Sequence, residues 1–260
     1  MPRFSIITVC LNPDEVMFSA TMNSIKKQTY EDFEVIVKDG GSKVTPVLPQ
    51  DSRFKLVTSE DAGIYDAMNQ AVSLATGDFC IFINAGDKLY DENVLYGVAG
   101  KLLGIRAGKL IAYGDSFFEK NESVYKSPSS ITPGVCYRNI PNHQAIFYSR
   151  DTLVSRGFDQ KYKVRGDYEH FLYTYFETDT KFMYLDMIVS SYEGGGFSES
   201  KANKTRDKEE YREIVRLYVP TGVRVKNRAE LILTLHTVRK YLATNPKTAK
   251  GYQKLISRLK

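Results

Sequence analysis

Two aspartates follow short apolar runs, at positions where a carboxylate can face a ligand. Asp87 closes the string Asn-Ala-Gly-Asp directly after the apolar residues 79–83. Asp39 follows the run at 33–38 in the same way. Strands of an open parallel sheet end at a common edge, and ligands bind outside that edge. If these runs are such strands, both carboxylates face a ligand cleft and not the core.

The string that contains Asp87 has a second interpretation. Asn, Gly and Asp are favoured in turns, and Asp is a good N-cap residue for a helix. The same four residues would therefore also suit a turn that leads into a helix. The string alone does not separate the two interpretations.

The elements that must hold these residues follow from the hydrophobic pattern. In the first half, predicted strands at 4–11, 33–38, 54–58 and 79–83 are interspersed with predicted helices at 16–28 and 64–75. This alternation predicts βαβ units and an α/β fold with a mostly parallel sheet flanked by helices. In the second half, the pattern predicts strands at 109–113, 145–149 and 181–191 and a hairpin arm at 116–125. It predicts helices at 167–176, 201–218, 229–243 and 250–259, with breaks at Pro220, Gly222 and Pro246.

Length and composition are those of an ordinary globular protein. The 260 residues, 42% of them apolar, suffice for one sizeable core. No run reaches the roughly 18 apolar residues of a membrane span, and the N-terminus reads directly into a strand without a signal-peptide pattern, so we expect a cytoplasmic protein. Three cysteines are too few for a disulfide framework or a zinc cluster, and Cys10 and Cys80 are predicted to be small buried hydrophobes.

Charge is unevenly distributed along the chain. Residues 221–260 carry a net charge of +9, whereas the first 220 residues carry −4. Apolar residues are interleaved with the basic ones, so this segment could lie on the anionic inner face of the cell membrane as a peripheral attachment. Packing of the apolar stripe on the body and homodimerisation are the alternatives. Charge alone would also suit nucleic acid, but no recognition module is present, and we expect no nucleic-acid partner.

Five short motifs lie in a fixed order along residues 3–197. They are Ser-Ile-Ile-Thr-Val-Cys-Leu-Asn, Val-Lys-Asp-Gly-Gly-Ser, Gly-Ile-Tyr-Asp-Ala-Met-Asn, Ala-Thr-Gly-Asp-Phe-Cys-Ile-Phe-Ile-Asn-Ala-Gly-Asp and Gly-Asp-Tyr-Glu. With them the chain resembles the family 2 glycosyltransferases, and among these the bacterial surface-polysaccharide group of the colanic acid glycosyltransferases. The resemblance implies the GT-A fold and inverting transfer of a sugar from a nucleotide-diphosphate sugar, UDP-linked, to a glycan or lipid-linked acceptor in surface polysaccharide synthesis.

The resemblance also implies a division of the chain. Residues 1–200 would form the GT-A catalytic domain, with a nucleotide-sugar half at 1–95 and an acceptor half at 96–200. Residues 201–260 lie outside the resemblance, and their charge and helical pattern predict a basic helical C-terminal extension.

On the donor side, the resemblance assigns residues that hold the nucleotide. Asp39 matches the acid that hydrogen-bonds the base, and the backbone at Thr8 and Val9 would flank that base. Asp61, which follows the third predicted strand, lies where the family closes over the nucleotide.

Asn84 to Asp87 occupies the place of the family's metal-binding Asp-x-Asp motif. Asn84 and Gly86 stand where acids are usual, so Asp87 is left as the metal ligand and Asn84 as a substrate contact. Magnesium needs only one or two carboxylates together with phosphate oxygens, so Mg²⁺ or Mn²⁺ remains a candidate cofactor. The alternative is a non-catalytic nucleotide-sugar-binding or membrane-attached assembly protein. A nucleotidyltransferase is disfavoured because no Gly-rich phosphate loop follows the first strand.

On the acceptor side, Asp167 in Gly-Asp-Tyr-Glu matches the catalytic base. A carboxylate that takes the proton of the acceptor hydroxyl contributes roughly 10² to 10⁴ in rate. The alternative for Asp167 is a helix N-cap, and Glu169 is the weaker candidate for the base. Lys163 and Arg165 would meet the diphosphate or an anionic acceptor.

A histidine and a glycine-rich loop complete the predicted site. His143 and Gln144, in the string Pro-Asn-His-Gln, look like an acceptor-side or phosphate-side segment of this group; a hydrogen-bonded histidine without substrate contact is the alternative. Residues 194–196 are all glycine and would form either a lid that orders on substrate binding or an ordinary loop.

Overall fold

The computed structural model describes residues 1–105, 108–194, 203–233, 236–245 and 248. Contacts divide the chain into two compact units, Met1–Tyr218 and Val219–Lys260.

The first half builds a parallel sheet, as the alternating pattern predicts. Its strands are β1 (Phe4–Cys10), β2 (Phe33–Asp39), β3 (Phe54–Thr58) and β4 (Phe79–Phe82), with helices α1 (Glu15–Lys26) and α2 (Ile64–Leu74) between them. The spatial order is β3-β2-β1-β4, and every neighbour is parallel. Cys10, Asp39 and Thr58 are in register, so the carboxyl ends of three strands lie at one edge.

The second half extends this sheet with mixed pairings. The elements are β5 (Asp87–Leu89), α3 (Val94–Leu102), β6 (Leu110–Phe118), β7 (Ser123–Tyr125), α4 (Pro133–Arg138), β8 (Ile146–Ser149), α5 (Arg150–Ser155), α6 (Gly166–Glu177), β9 (Lys181–Tyr192) and α7 (Lys204–Tyr218), with short 3₁₀ turns at Glu119–Asn121 and His143–Ala145. Strand β8 is antiparallel to β4 and β6, β9 is parallel to β6, and β5 is antiparallel to β9. The result is a mixed α/β fold in which the strand order continues β4-β8-β6-β9-β5.

Strand β5 begins at Asp87, so the helix N-cap interpretation of Asn-Ala-Gly-Asp is wrong. Strand β5 pairs with β9, about a hundred residues further along the chain, and a pairing of that range leaves no local sequence signal. A hairpin does form here, since β6 and β7 pair through the turn at Glu119–Asn121, but the predicted arm at 116–125 contains the end of β6, the turn and β7. The hydrophobic pattern did not predict helices α3, α4 and α5.

Helix α1 secures the backbone of the edge strand β5 through one polar row. The Thr21 hydroxyl donates to the carbonyl of Asp87 at 2.8 Å, and Ser24 Oγ accepts the amide of Leu89 at 3.3 Å. Gln28 donates to the carbonyl group two residues beyond the strand at 2.6 Å. Thr21 and Ser24 lie on one face of α1 and Gln28 follows two residues after the helix ends, and an unpaired sheet edge needs such partners. The position of Asp87 therefore depends on α1.

The second unit contains helices α8 (Thr221–Leu233) and α9 (His236–Thr244), which contact each other. The predicted break at Gly222 is wrong, because α8 starts at Thr221 and Gly222 lies in its first turn, where the amides have no intrahelical partner in any case. The predicted helix at 250–259 lies outside the described residues. Within the described ranges, no helix has the length and apolar content needed to cross a membrane.

Candidate active site

Asp39 ends strand β2 with a carboxylate that is held locally. Its side chain is 1% exposed, and both carboxylate oxygens accept the amide of Ser42 at 3.1 Å. The Ser42 hydroxyl donates to the same carboxylate at 2.5 Å and accepts the amide of Asn12 at 2.7 Å. The loops after β1 and β2 are thereby joined, and the carboxylate is fixed at the edge of the sheet.

Beside Asp39 lies a buried ion pair that the sequence-based analysis missed. Lys38 is fully buried, and its Nζ lies 3.3 Å from Asp61 Oδ2 and donates to two backbone carbonyls at 2.5 and 3.2 Å. The other carboxylate oxygen of Asp61 accepts the amide of Gly63 at 3.0 Å. A Cβ at Gly40 would lie 2.6 Å from Asp61 Oδ2, so glycine is required for this approach. A lysine inside an apolar strand was the available signal, because a buried ammonium group requires partners.

The end of β1 provides the backbone predicted to flank a base. Thr8 is fully buried and its hydroxyl donates to the carbonyl of Ile83 at 2.6 Å, which ties β1 to the end of β4. Val9 is in register with Lys38. Burial, together with the nearby Asp39 charge, raises the pKa of the Cys10 thiol to about 12, so the thiol stays protonated at neutral pH.

Asn84 and Asp87 are half-buried and carry side-chain oxygens of the kind that bind metal ions. Asn84 Oδ1 is buried without a hydrogen-bond partner in the structure. Burial raises the pKa of the Asp87 carboxyl to about 7, and a hydrogen bond from the Asn84 backbone opposes part of that rise. Hard divalent cations take oxygen ligands of this kind. Among the described residues no group of three or more His, Cys, Asp or Glu could hold a metal ion, so a cation bound here would need phosphate oxygens and water as its remaining ligands.

Asp167 lies in the first turn of α6 and is held by a tyrosine. Its Oδ1 accepts the hydroxyl of Tyr65 at 2.8 Å, and its side chain is 24% exposed. The N-cap position belongs to Arg165, and no side chain caps the helix, so the N-cap interpretation of Asp167 is wrong. A Cβ at Gly166 would lie within 2.7–2.9 Å of the Tyr65 ring. The Gly-Asp pair is therefore explained by the close packing of Tyr65 on this turn.

His143 approaches the second oxygen of Asp167. Its Nδ1 lies 3.8 Å from Asp167 Oδ2, and its ring stacks on Phe82 with centroids 5.2 Å apart. Neither ring nitrogen has a hydrogen-bond partner in the structure. Burial lowers the pKa of His143 and the Asp167 charge opposes this, so the imidazole is neutral at pH 7. Gln144 follows in the same 3₁₀ turn and is half-buried.

An aromatic cluster packs against the ring of His143. Tyr148, Phe158 and His170 pack together, with the ring centroids of Phe158 and His170 5.1 Å apart. Burial lowers the pKa of His170 to about 4, and its Nε2 lies 3.0 Å from the carbonyl of Arg156. The cluster is therefore uncharged at neutral pH.

Three charged residues near Asp167 have protein partners. Glu169 is 1% exposed and makes a bidentate pair with Arg156 at 2.8 and 3.0 Å, which accounts for its burial without a role as base. The Arg165 guanidinium makes a bidentate pair with Asp207 at 2.7 and 3.1 Å. Lys163 Nζ donates to a backbone carbonyl at 3.3 Å. Substrate contacts by Arg165 stay a prediction, and a substrate would have to share the guanidinium with Asp207.

Contacts connect the strand-end residues to Asp167 from two sides. Asp61 precedes α2, whose second residue Tyr65 reaches Asp167. On the other side, Phe82 ends β4 just before Asn84 and carries the ring of His143. The predicted lid lies almost wholly outside the described residues. A separate surface cavity of about 650 Å³ lies between α1 and β5, and the described residues that line it include none of the predicted site residues.

Comparison with solved structures identifies the fold. Staphylococcus aureus TarS 1–349 in complex with UDP-GlcNAc matches with a TM-score of 0.63 at 18% identity, over 83% of this chain and 65% of that one. The mannosyltransferase PcManGT from Pyrobaculum calidifontis, in complex with GDP-Man and Mn²⁺, matches with a TM-score of 0.61 at 16% identity, over 99% and 80%. This chain spans just under two thirds of the TarS fragment. The fold is that of the GT-A glycosyltransferases.

Comparison of sequences identifies the family. The model for "Glycosyl transferase family 2" matches residues 5–163. A PGL/p-HBAD biosynthesis glycosyltransferase from Mycobacterium bovis (strain BCG / Pasteur 1173P2) is 32% identical over 212 residues, 78% of this chain and 82% of the relative. Putative glycosyltransferase EpsH from Bacillus subtilis (strain 168) is 28% identical over 92 residues, 33% of this chain and 26% of the relative. The family model and the mycobacterial relative each match more than half of this chain. The chain therefore belongs to the family 2 glycosyltransferases, and the protein is a glycosyltransferase.

Proposed function

We propose that this glycosyltransferase moves a sugar, with inversion, from a UDP-linked donor to a glycan or lipid-linked acceptor in surface polysaccharide synthesis. The observation that carries the proposal is the Asp167 carboxylate. It is partly exposed at the start of α6, and the Tyr65 hydroxyl holds one of its oxygens at 2.8 Å. The structures of TarS with UDP-GlcNAc and of PcManGT with GDP-Man support a nucleotide-sugar donor.

In this proposal Asp167 is the general base. The acceptor hydroxyl attacks the anomeric carbon, its proton passes to Asp167, and the bond from that carbon to the diphosphate oxygen breaks with its electron pair on the leaving nucleotide. One displacement from the face opposite the leaving group inverts the anomeric centre. Such a base contributes roughly 10² to 10⁴ in rate.

The surroundings of Asp167 suit this role. Tyr65 can donate one hydrogen bond and holds the carboxylate in place, and burial and the Asp167 charge keep the pKa of Tyr65 well above its usual value, so the phenol stays protonated. His143 is neutral, with unpartnered ring nitrogens beside Asp167. The imidazole can therefore form a hydrogen bond with the acceptor substrate. We propose such a contact for His143 and for its neighbour Gln144.

The donor would lie along the ends of β1, β2 and β4. We propose that Asp39 hydrogen-bonds the base, that Thr8 and Val9 flank it, and that Asp61 closes the nucleotide site. Asp87 and Asn84 would hold Mg²⁺ or Mn²⁺ on the diphosphate. A bound divalent cation neutralises charge that develops on the leaving phosphate and supplies several kcal/mol.

The second unit supports attachment to an anionic membrane surface. Helix α8 exposes Val225 and Ile232, at 64% and 67%, on the same face as Arg228. Each basic residue near an anionic leaflet contributes about 1 kcal/mol. We expect co-sedimentation with anionic vesicles and none with neutral vesicles; equal binding to both would refute the attachment.

The proposal is tested by measuring release of nucleoside diphosphate. The full chain is incubated with a panel of UDP- and GDP-sugars, Mn²⁺ or Mg²⁺, and a lipid-linked glycan acceptor. We expect acceptor-dependent release of UDP, loss of that release on addition of EDTA, and weaker donor binding in Asp87→Asn. Calorimetry without any nucleotide binding in the presence of metal would contradict the proposal.

A further inference from the structure

Helix α7 carries a buried carboxylate that binds the segment directly before α6. Glu210 is 8% exposed. Its Oε1 accepts the amide of Lys163 at 2.9 Å, and its Oε2 accepts the amides of Val164 at 3.0 Å and Arg165 at 2.9 Å. Hydrogen bonds to an ionised carboxylate are roughly twice as strong as neutral ones. Three consecutive amides on one carboxylate leave this segment little freedom to move.

The other side of the same segment is held by the tyrosine that contacts Asp167. The Tyr65 hydroxyl lies 2.8 Å from the carbonyl of Val164 and 2.8 Å from Asp167 Oδ1. Glu210 thus binds the amides of this segment, and Tyr65 lies against both the segment and the carboxylate that follows it. The distance between Tyr65 and Asp167 is therefore set by the position of residues 163–165.

Further contacts keep α7 itself in place. Asp207, one turn before Glu210, pairs with the Arg165 side chain. The Tyr211 ring stacks on Tyr168, with centroids 5.7 Å apart and planes at 28°. Ile214 is fully buried. These residues recur at intervals of three or four, so a single face of α7 grips the start of α6.

We infer that α7 is a positioning element of the active site, and that Glu210 sets the position of Asp167 through residues 163–165. This inference rests on the proposed role of Asp167 as the base. Glu210 is a positioning residue, since its carboxylate is occupied by backbone amides. Its side chain lies outside the set of residues that would hold the donor, and the Arg165 guanidinium is oriented by Asp207 and not by Glu210. Loss of Glu210 should consequently slow the transfer step and leave donor binding unchanged.

The size of the effect follows from the sensitivity of catalysis to geometry. A misplacement of a reacting group by about 1 Å can cost roughly 10²-fold in rate. We therefore expect kcat to fall about 10-fold to 100-fold in Glu210→Ala, with the donor Kd within about twofold of wild type. Gln retains one acceptor oxygen, so Glu210→Gln should lie between wild type and Glu210→Ala.

The experiment compares the two variants with Glu209→Gln, an exposed glutamate on the same helix that serves as the matched control. In the full chain we measure kcat, KM, donor Kd by calorimetry, and Tm. A lower kcat at unchanged donor Kd supports the inference. An unchanged kcat in Glu210→Ala overturns it, and so does a loss of donor affinity that matches the loss of rate, since that indicates general damage to the fold.

Two further measurements separate this inference from its foundation. Turnover retained by Asp167→Asn in the same assay refutes the base itself, whereas an inactive Asp167→Asn beside a fully active Glu210→Ala refutes only the role of α7. If Glu210→Ala does not fold, hydrogen exchange of the wild-type protein decides the matter. The amides of residues 163–165 should be strongly protected, and rapid exchange at all three would overturn the inference.

Discussion

The carboxylates proposed for the donor side and the carboxylate proposed for the acceptor side are held by partners at different ranges along the chain. On the donor side, Asp39 is held by Ser42 and Asp61 by Gly63, which are three and two residues away. On the acceptor side, Asp167 is held by Tyr65, which is 102 residues away. The Asp39 and Asp61 carboxylates therefore each have a local hydrogen-bond partner beside their longer-range contacts, whereas the contact between Asp167 and Tyr65 requires distant elements to assemble first. The two regions should accordingly respond differently to substitution.

The largest expected effect separates the chemistry of the two regions. Asp167→Asn keeps the size of the side chain and removes the proposed general base, so we expect transfer to fall by roughly 10² to 10⁴. Donor affinity measured by calorimetry should stay within about twofold. Full turnover in this variant would show that another group takes the proton.

The next effect concerns the donor side. Asp39→Ala removes the carboxylate that we expect to hydrogen-bond the nucleobase of the donor. The loss of a hydrogen bond to a charged group costs about 1.5–3 kcal/mol. Donor affinity should fall roughly 10-fold to 100-fold, while kcat at saturating donor stays close to wild type. Asp32→Ala, an exposed aspartate just before β2, is the control and should bind donor normally. Equal affinities in the two variants would remove Asp39 from the site.

A smaller effect tests the long-range support of the base. Tyr65→Phe keeps the ring that packs on Gly166 and removes the hydroxyl that lies 2.8 Å from Asp167. We expect kcat to fall about tenfold, because one hydrogen bond to the base is lost, with donor affinity unchanged. Tyr96→Phe, at a tyrosine that is 60% exposed on α3, should behave as wild type. A Tyr65→Phe variant with wild-type kcat would show that the carboxylate needs no such support.

The smallest expected effect is a pH dependence of stability that belongs to the acceptor side. Burial lowers the pKa of His170 to about 4 in the folded protein, below its ordinary value of 6.5. Above pH 6.5 the imidazole is neutral in both states. As the pH falls from 6.5 toward 4, the unfolded chain binds a proton that the folded chain rejects, so the free energy of unfolding decreases.

Urea unfolding at two pH values measures this effect. Between pH 7.5 and pH 5.5 we expect wild type to lose about 1 kcal/mol from this group. His170→Gln, whose amide can still donate to the carbonyl of Arg156, should lose correspondingly less. Parallel pH profiles for the two proteins would show that His170 does not contribute.

The sequence predicted the first half of the fold well, because its elements have local signals. The strand at 79–83 is a continuous apolar run, the strand at 54–58 is rich in apolar residues, and the alternation of strands with helices α1 and α2 predicts parallel pairing. Strand β5 was missed because it has only three residues and exists through pairing with β9 and support from α1. The sequence predicted α7 as a helix. Its hydrogen bonds to the residues just before α6, however, join positions more than 40 residues apart and have no local signal.

In the candidate site, too, the sequence predicted features that have local signals and missed those that depend on distant contacts. Five motifs in order, three of which contain Asp39, Asp87 and Asp167, indicated a family of glycosyltransferases from the sequence alone. Lys38 was not singled out although it lies in an apolar strand, and Glu210 has no such signal, because its importance shows only when its buried partners are known. Arg165 was predicted to meet substrate, and the structure gives it a pairing with Asp207 that no spacing indicates.

The sequence by itself determined the family, the parallel strands of the donor half and the residue types at their ends, because each depends on short motifs or on local hydrophobic periodicity. Only the tertiary structure decided how Asp167 is held, which charges are paired in the interior, and that Asp87 begins a strand and not a helix. These features arise from hydrogen bonds and packing between distant segments, and the free energy of such contacts exists only once the chain has brought those segments together.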